Sequence, residues 1–169
     1  MPKAIKTYVR TVDAINRVIG HVAMYLIFAM LGVLFYSSIS KQFFTPSIWT
    51  LEMAQFSMVA YYLLGGAYTL QTDDHVRMDL LYSRWSERTR ARVDAVTDLC
   101  LIFYLLLLIY GGYSSTEYAL KYAEESYSSW APYMAPIKII MVVGIALTLA
   151  QAIAIFFKDV AKARGEPLE

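Results

Sequence analysis

Four stretches of this chain, 19–40, 53–72, 99–116 and 139–157, run for 22, 20, 18 and 19 residues without one Asp, Glu, Lys or Arg. At about 1.5 Å of rise per helical residue they reach roughly 27 to 33 Å, against a bilayer hydrocarbon core of about 30 Å. A charge at the bilayer centre costs about 2.5 to 3.5 kcal/mol on insertion scales, so charge-free runs of this length predict an all-α membrane protein with four transmembrane helices. Together they hold 79 of the 169 residues, which leaves one membrane domain over 1–169 and no room for a soluble catalytic domain. The first run is longer than the roughly 7 to 15 residue apolar region of a cleavable signal, and no small-residue site closes it. With 58% hydrophobic residues, 17% charged and a mean hydropathy of +0.44, the composition is too apolar for an ordinary soluble domain. A single cysteine, Cys100, excludes an intramolecular disulfide and a CxxC redox pair, and a net charge of +1 gives no bulk attraction for nucleic acid.

The cations sort the connections. Lys3, Lys6, Arg10 and Arg17 precede the first run, Arg77, Arg84, Arg88, Arg90 and Arg92 lie between the second and third, and Lys158, Lys162 and Arg164 follow the fourth. Only Lys41, Lys121 and Lys138 fall on the other side. Lys and Arg are retained in the cytoplasm, so both termini and the middle connection are expected there. Trp49 and Trp130, with Tyr127 and Tyr133, then form an aromatic belt at the periplasmic headgroup level. From the segment 4–18 into the first run, Ile5, Tyr8, Val12, Ile15 and Ile19 recur at spacings of three and four, and Lys6, Arg10, Asp13 and Arg17 do so on another face. This predicts an N-terminal amphipathic interfacial helix whose cationic face meets anionic membrane lipid or whose apolar stripe packs on a partner subunit.

No catalytic, cofactor or metal site is legible. The middle connection, 73–98, carries eleven charges in 26 residues, but they read as cytoplasmic retention, with Ser86 a candidate N-cap for a helix entering the third run. Glu52 sits in the first turn of the second run, where the helix dipole favours a carboxylate by about 0.3 to 1 kcal/mol. The pairs Gly65–Gly66 and Gly111–Gly112 predict close helix approach, insulated from lipid. Glu117 and Lys121, at i and i+4, predict an ion pair beyond the outer end of the third run, followed by an acidic outer loop at Glu124 and Glu125. His21 and His75, both near the cytoplasmic face, permit a bis-histidine haem, which keeps open a haem-bearing or quinone-linked membrane anchor of a redox enzyme as the alternative.

Several segments carry a family resemblance. Trp49-Thr-Leu-Glu52, the run ending Gly65-Gly66-Ala-Tyr-Thr-Leu-Gln-Thr72, and His75-Val-Arg77-Met-Asp79-Leu-Leu-Tyr82 resemble the small membrane subunit of tripartite ATP-independent periplasmic (TRAP) transporters, the DctQ-like proteins. Ser129-Trp130-Ala-Pro132, Lys138 and Gly144-Ile-Ala-Leu-Thr-Leu-Ala-Gln151 fit the same pattern. The resemblance implies a non-enzymatic inner-membrane scaffold for a large membrane subunit, in sodium-coupled uptake of an organic acid anion delivered by a soluble periplasmic binding protein. It places substrate and sodium sites in the large subunit. His75, Arg77 and Asp79 match the family segment and are read as loop structure or subunit contact; Trp49, Glu124, Glu125 and Trp130 are the candidate outer contact residues, and Gly65 and Gly66 candidate contacts within the membrane.

The twelve-to-three cation distribution sets a direct test of topology. In a variant lacking Cys100, single cysteines at Ser47 and Ser128 should react in intact cells with an impermeant thiol reagent, and one at Ser86 should not. Labelling at Ser86 would reverse the orientation.

Overall fold

A computed structural model of the chain describes residues 3–72 and 87–164, all organised around four helices. Helix α1, Lys3–Phe43, is one uninterrupted element of 41 residues. The expected interfacial helix and first span are therefore continuous, because no proline or capping residue separates them. At roughly 62 Å, α1 is about twice the hydrocarbon thickness, so part of it must extend beyond the bilayer core. It stops where Thr45-Pro46 follows, since proline cannot continue the backbone ladder.

Helix α2, Thr50–Gln71, starts without a side-chain cap at Trp49. Helix α3, Glu87–Tyr122, runs through the second half of the charged connection into the third apolar run, and its expected cap at Ser86 lies outside the described residues. It ends on Ala123 at φ 47°, with the Glu124 amide donating to the Ala119 carbonyl. This is the closing bond of a Schellman turn, made with alanine in the left-handed position where glycine is usual. Helix α4, Ala135–Arg164, places Pro136 in its first turn, where a missing N–H leaves nothing unsatisfied.

Three helices hold a stretch long and apolar enough to cross a membrane by length and composition: α1, α3 over Val96–Tyr122 and α4 over Ala135–Ala161. Helix α2 is not among them, being diluted by Gln55, Ser57, Tyr61, Tyr62 and Thr69. Its place in the bundle is nevertheless central. It packs against both α1 and α4, while α3 packs on the far side of α4.

The interior is built of small side chains and the exterior of large ones. Ala54, Ala60 and Ala67 are buried along α2 and Ala152, Ala154 and Ala161 along α4, whereas Phe28, Phe35, Phe103 and Tyr110 are exposed. The larger apolar contacts gather where α3 meets α4, around Leu105 and Ile145 with Leu101, Ile109 and Leu149. Two glycines allow the closest approaches. A Cβ on Gly144 would stand 2.8 Å from the Leu63 Cβ and 3.0 Å from the Leu63 backbone, and one on Gly20 would overlap the Tyr68 ring. The glycines expected to pack divide: Gly112 faces Val142 and Gly66 faces Thr148, but Gly111 is exposed and nothing lies within 4 Å of a Cβ on Gly65. One residue of each pair turns inward because neighbours on a helix are about 100° apart.

Gly144→Leu should therefore force α2 and α4 apart. A loss of about 1 to 3 kcal/mol is expected from overpacking, read as a lower Tm in detergent, whereas Gly111→Ala should leave the Tm unchanged.

Candidate functional site

Two polar clusters tie the helix ends together, one at each end of the bundle. At the proximal end, where α1 begins and α4 finishes, the Asn16 amide donates to Gln151 Oε1 at 2.7 Å, and Gln151 Nε2 donates to Asp13 Oδ1 at 2.9 Å. Lys158 Nζ completes the chain on Asp13 Oδ2 at 2.8 Å. Tyr8 adds a fourth link, its hydroxyl donating to the Ala150 carbonyl at 3.0 Å. Gln151 and Asn16 are 0% and 1% exposed, the deepest large side chains in the chain's described part.

This network corrects the expected reading of the N-terminal segment in one respect. The inner face of α1 passes through Val9, Asn16, Gly20 and Ala23 and packs on α4 and α2 of the same chain, whereas Ile15, counted in the apolar stripe, is 45% exposed. Helical period marks an apolar face but does not say whether lipid or protein covers it. Asn16 takes the inner position with its amide N–H on Gln151, which is in turn held by Asp13, while its Oδ1 has no partner among the described residues.

At the distal end, Thr50 Oγ1 donates to Ser37 Oγ at 3.0 Å, joining α2 to α1, and Ser40 Oγ donates to the Thr45 carbonyl at 2.8 Å. Glu52 is buried. Its Oε1 accepts from Ser126 Oγ at 2.8 Å, which pins the start of α2 to the connection between α3 and α4, while its Oε2 has no partner among the described residues. That connection is itself folded. The Ser126 amide donates to the Pro132 carbonyl and the Met134 amide to the Glu124 carbonyl to close it, Glu125 faces Tyr133 in an isolated antiparallel bridge, and Ala131 takes a left-handed φ of 43°.

The candidate outer contact residues thus share one end. Trp49 is half-buried and stacks on Tyr36, with ring centroids 5.7 Å apart. Trp130 is 36% exposed on the folded connection, beside the fully exposed Tyr127. Glu124 and Glu125 differ in kind: Glu124 forms an ion pair with Lys138 of α4, and Glu125 is exposed. The expected Glu117–Lys121 pair does not form; Lys121 lies over the Tyr122 ring instead, 5.6 Å from its centroid. Gly65 and Gly66 sit on α2 against a groove between α1 and α2. His75, Arg77 and Asp79 lie outside the described residues. So does half of the proposed haem pair; the other half, His21, uses Nδ1–H on the Arg17 carbonyl at 2.6 Å and sets its ring edge-on to Tyr68.

Sequence reasoning missed Asn16 and Gln151. Their signal was a lone amide inside an otherwise apolar α4 run and a second just before the first run.

The model of one protein family, described as Tripartite ATP-independent periplasmic transporters, DctQ component, matches residues 30–162. No curated protein matches the chain.

Removing one partner of the proximal network should expose its cost. Gln151→Leu leaves Asn16 and Asp13 short of a buried hydrogen bond, and each such loss destabilises by about 1 to 3 kcal/mol. Thermal unfolding in detergent should show the drop, with part of it recovered in Asn16→Leu/Gln151→Leu, where both amides are gone.

Proposed function

The chain belongs to the DctQ component family of tripartite ATP-independent periplasmic transporters, and on that premise we propose that it is the scaffold for a large membrane subunit in sodium-coupled uptake of an organic acid anion. In this reading a soluble periplasmic binding protein delivers the solute, the large subunit moves it, and this chain positions and steadies the large subunit in the bacterial inner membrane. Helix α2, 22 residues and roughly 33 Å long, is then the fourth span. Its central place between α1 and α4 supports that assignment, since a helix covered by its neighbours tolerates more polar side chains than one facing lipid. The proximal end, with both termini, is cytoplasmic and the distal end periplasmic, as the cation distribution favours.

The observation that carries the scaffold reading is how this chain spends its buried polar groups. Asn16, Gln151, Asp13 and Lys158 are committed to one another in the proximal part of the bundle, and Glu52 to Ser126 in the distal part. They link helices. Between these ends the described surface is apolar and broad, with Phe28, Phe35, Phe103 and Tyr110 facing outward to lipid or to a large subunit. The family match gives no support to the redox-anchor alternative.

Docking of the binding protein is assigned to the distal end, where Trp49 and Trp130 offer rigid aromatic anchors and Glu125 a free charge, the features that govern hot spots and encounter rate. Glu125→Lys is the clean variant, because reversing Glu124 would also break its pair with Lys138. In reconstituted vesicles of the complete transporter, Glu125→Lys should lower uptake a few-fold when binding protein is scarce, less at high salt, with the sodium requirement unchanged. A shifted apparent sodium affinity with unaltered binding-protein dependence would overturn the scaffold assignment.

A further inference from the structure

Between α1 and α2 lies an apolar groove of about 370 Å³, with Gly20, Ala23 and Gly65 among its lining residues and Met24, Tyr61 and Tyr62 as its larger ones. The chain itself does not fill it: a Cβ on Gly65 would meet nothing within 4 Å, and Met24 and Tyr62 are both exposed. Gly20, Ala23 and Met24 lie at the start of the first charge-free run.

The same helix carries a row of cations that leads into this groove. Arg10, Arg17 and Met24 are seven residues apart, which places them on one ridge with a drift of only about 20° per step. Gly20 and His21 stand three and four residues beyond Arg17, so they are its neighbours on the helix surface. Lys3 and Lys6 extend the row toward the N-terminus. All four cations are exposed and form no ion pair among the described residues. The one acid on α1, Asp13, is already held by Lys158 and Gln151. The bonds from Tyr8 and Asn16 to α4 fix the rotation of this segment, so the row has a set position beside the groove.

We propose that this groove and the Arg10–Arg17 row form a binding site for one anionic phospholipid, with an acyl chain lying along Gly65 and Met24 and the phosphate at Arg17. The lining is mostly apolar, with the Thr69 hydroxyl already spent on the Gly66 carbonyl, which suits a hydrocarbon chain. The guanidinium groups of Arg17 and Arg10, on the helix turns that precede the groove and in no ion pair among the described residues, match a phosphodiester, which accepts paired hydrogen bonds from arginine. A net negative headgroup is favoured over a zwitterionic one because several cations act together near the surface. The site is complete within this chain. It goes beyond the transport reading and does not depend on it.

The test is lipid retention by the full chain, purified alone and with its large subunit, from nanodiscs of phosphatidylcholine containing a small fraction of phosphatidylglycerol, with bound lipid counted by native mass spectrometry. One phosphatidylglycerol per chain is expected in both preparations. R10Q/R17Q should lower its occupancy about tenfold and R10K/R17K less than twofold. Gly65→Phe should also remove it, by filling space the fold leaves open. The two arginines are exposed and in no ion pair among the described residues, so their replacement decides the matter even if Gly65→Phe fails to assemble. Equal retention of phosphatidylcholine and phosphatidylglycerol, or occupancy unchanged in R10Q/R17Q, would overturn the site. Loss of the lipid whenever the large subunit is present would overturn it too, by showing that a helix of that subunit fills the groove.

Discussion

Lipid tails are as apolar as leucine, so nothing hydrophobic draws the spans of this chain together inside a bilayer. What remains is van der Waals contact at close range and hydrogen bonds between helices, and the structure is arranged around both. Gly144 lets α4 rest on the Leu63 backbone, Gly20 lets α1 rest on the Tyr68 ring, and alanines line the rest of the seam. Polar links then close the two ends: Asn16, Gln151, Asp13 and Lys158 at one, Thr50, Ser37, Glu52 and Ser126 at the other.

This division has a functional consequence. A helix pair held only by small-residue contact can slide or rotate, whereas one clamped by directed hydrogen bonds at both ends has a fixed register. The bonds bind α1 to α2 and α4, and through Glu52 and Ser126 they reach the connection after α3, so every helix is tied to the same frame. Such a frame can hold a moving partner in place. It also carries a set of outward-facing aromatic and aliphatic side chains.

The candidate site was partly legible. Trp49, Glu125 and Trp130 were candidates because interfacial aromatics and loop charges are local signals, readable from position relative to the apolar runs, and the structure brings them to one end of the bundle. The reading of Glu124 changed once its partner was known: Lys138 is 14 residues away and comes within reach only when the connection between α3 and α4 folds back on itself. The Glu117–Lys121 spacing, by contrast, satisfied a local rule and formed no pair, because Lys121 lies instead over the Tyr122 ring. The glycine pairs were half legible. Adjacent residues cannot both face one neighbour, and the sequence does not say which of the two turns inward.

By itself the sequence determined that the chain is helical and membrane-embedded, since runs of 18 to 22 residues without charge admit little else in a bilayer that cannot hydrogen-bond a bare backbone. It also determined where the charges lie, and so which connections favour which side. Only the tertiary structure decided that the amphipathic segment and the first apolar run are one helix, that α2 sits between α1 and α4, and that the two largest fully buried side chains among the described residues are amides. Hydrophobic period records which face of a helix is apolar. It does not encode which helix that face meets. Asn16 and Gln151 are 135 residues apart, and their bond exists only because α1 and α4 pack antiparallel at the proximal end, a relation no local window contains.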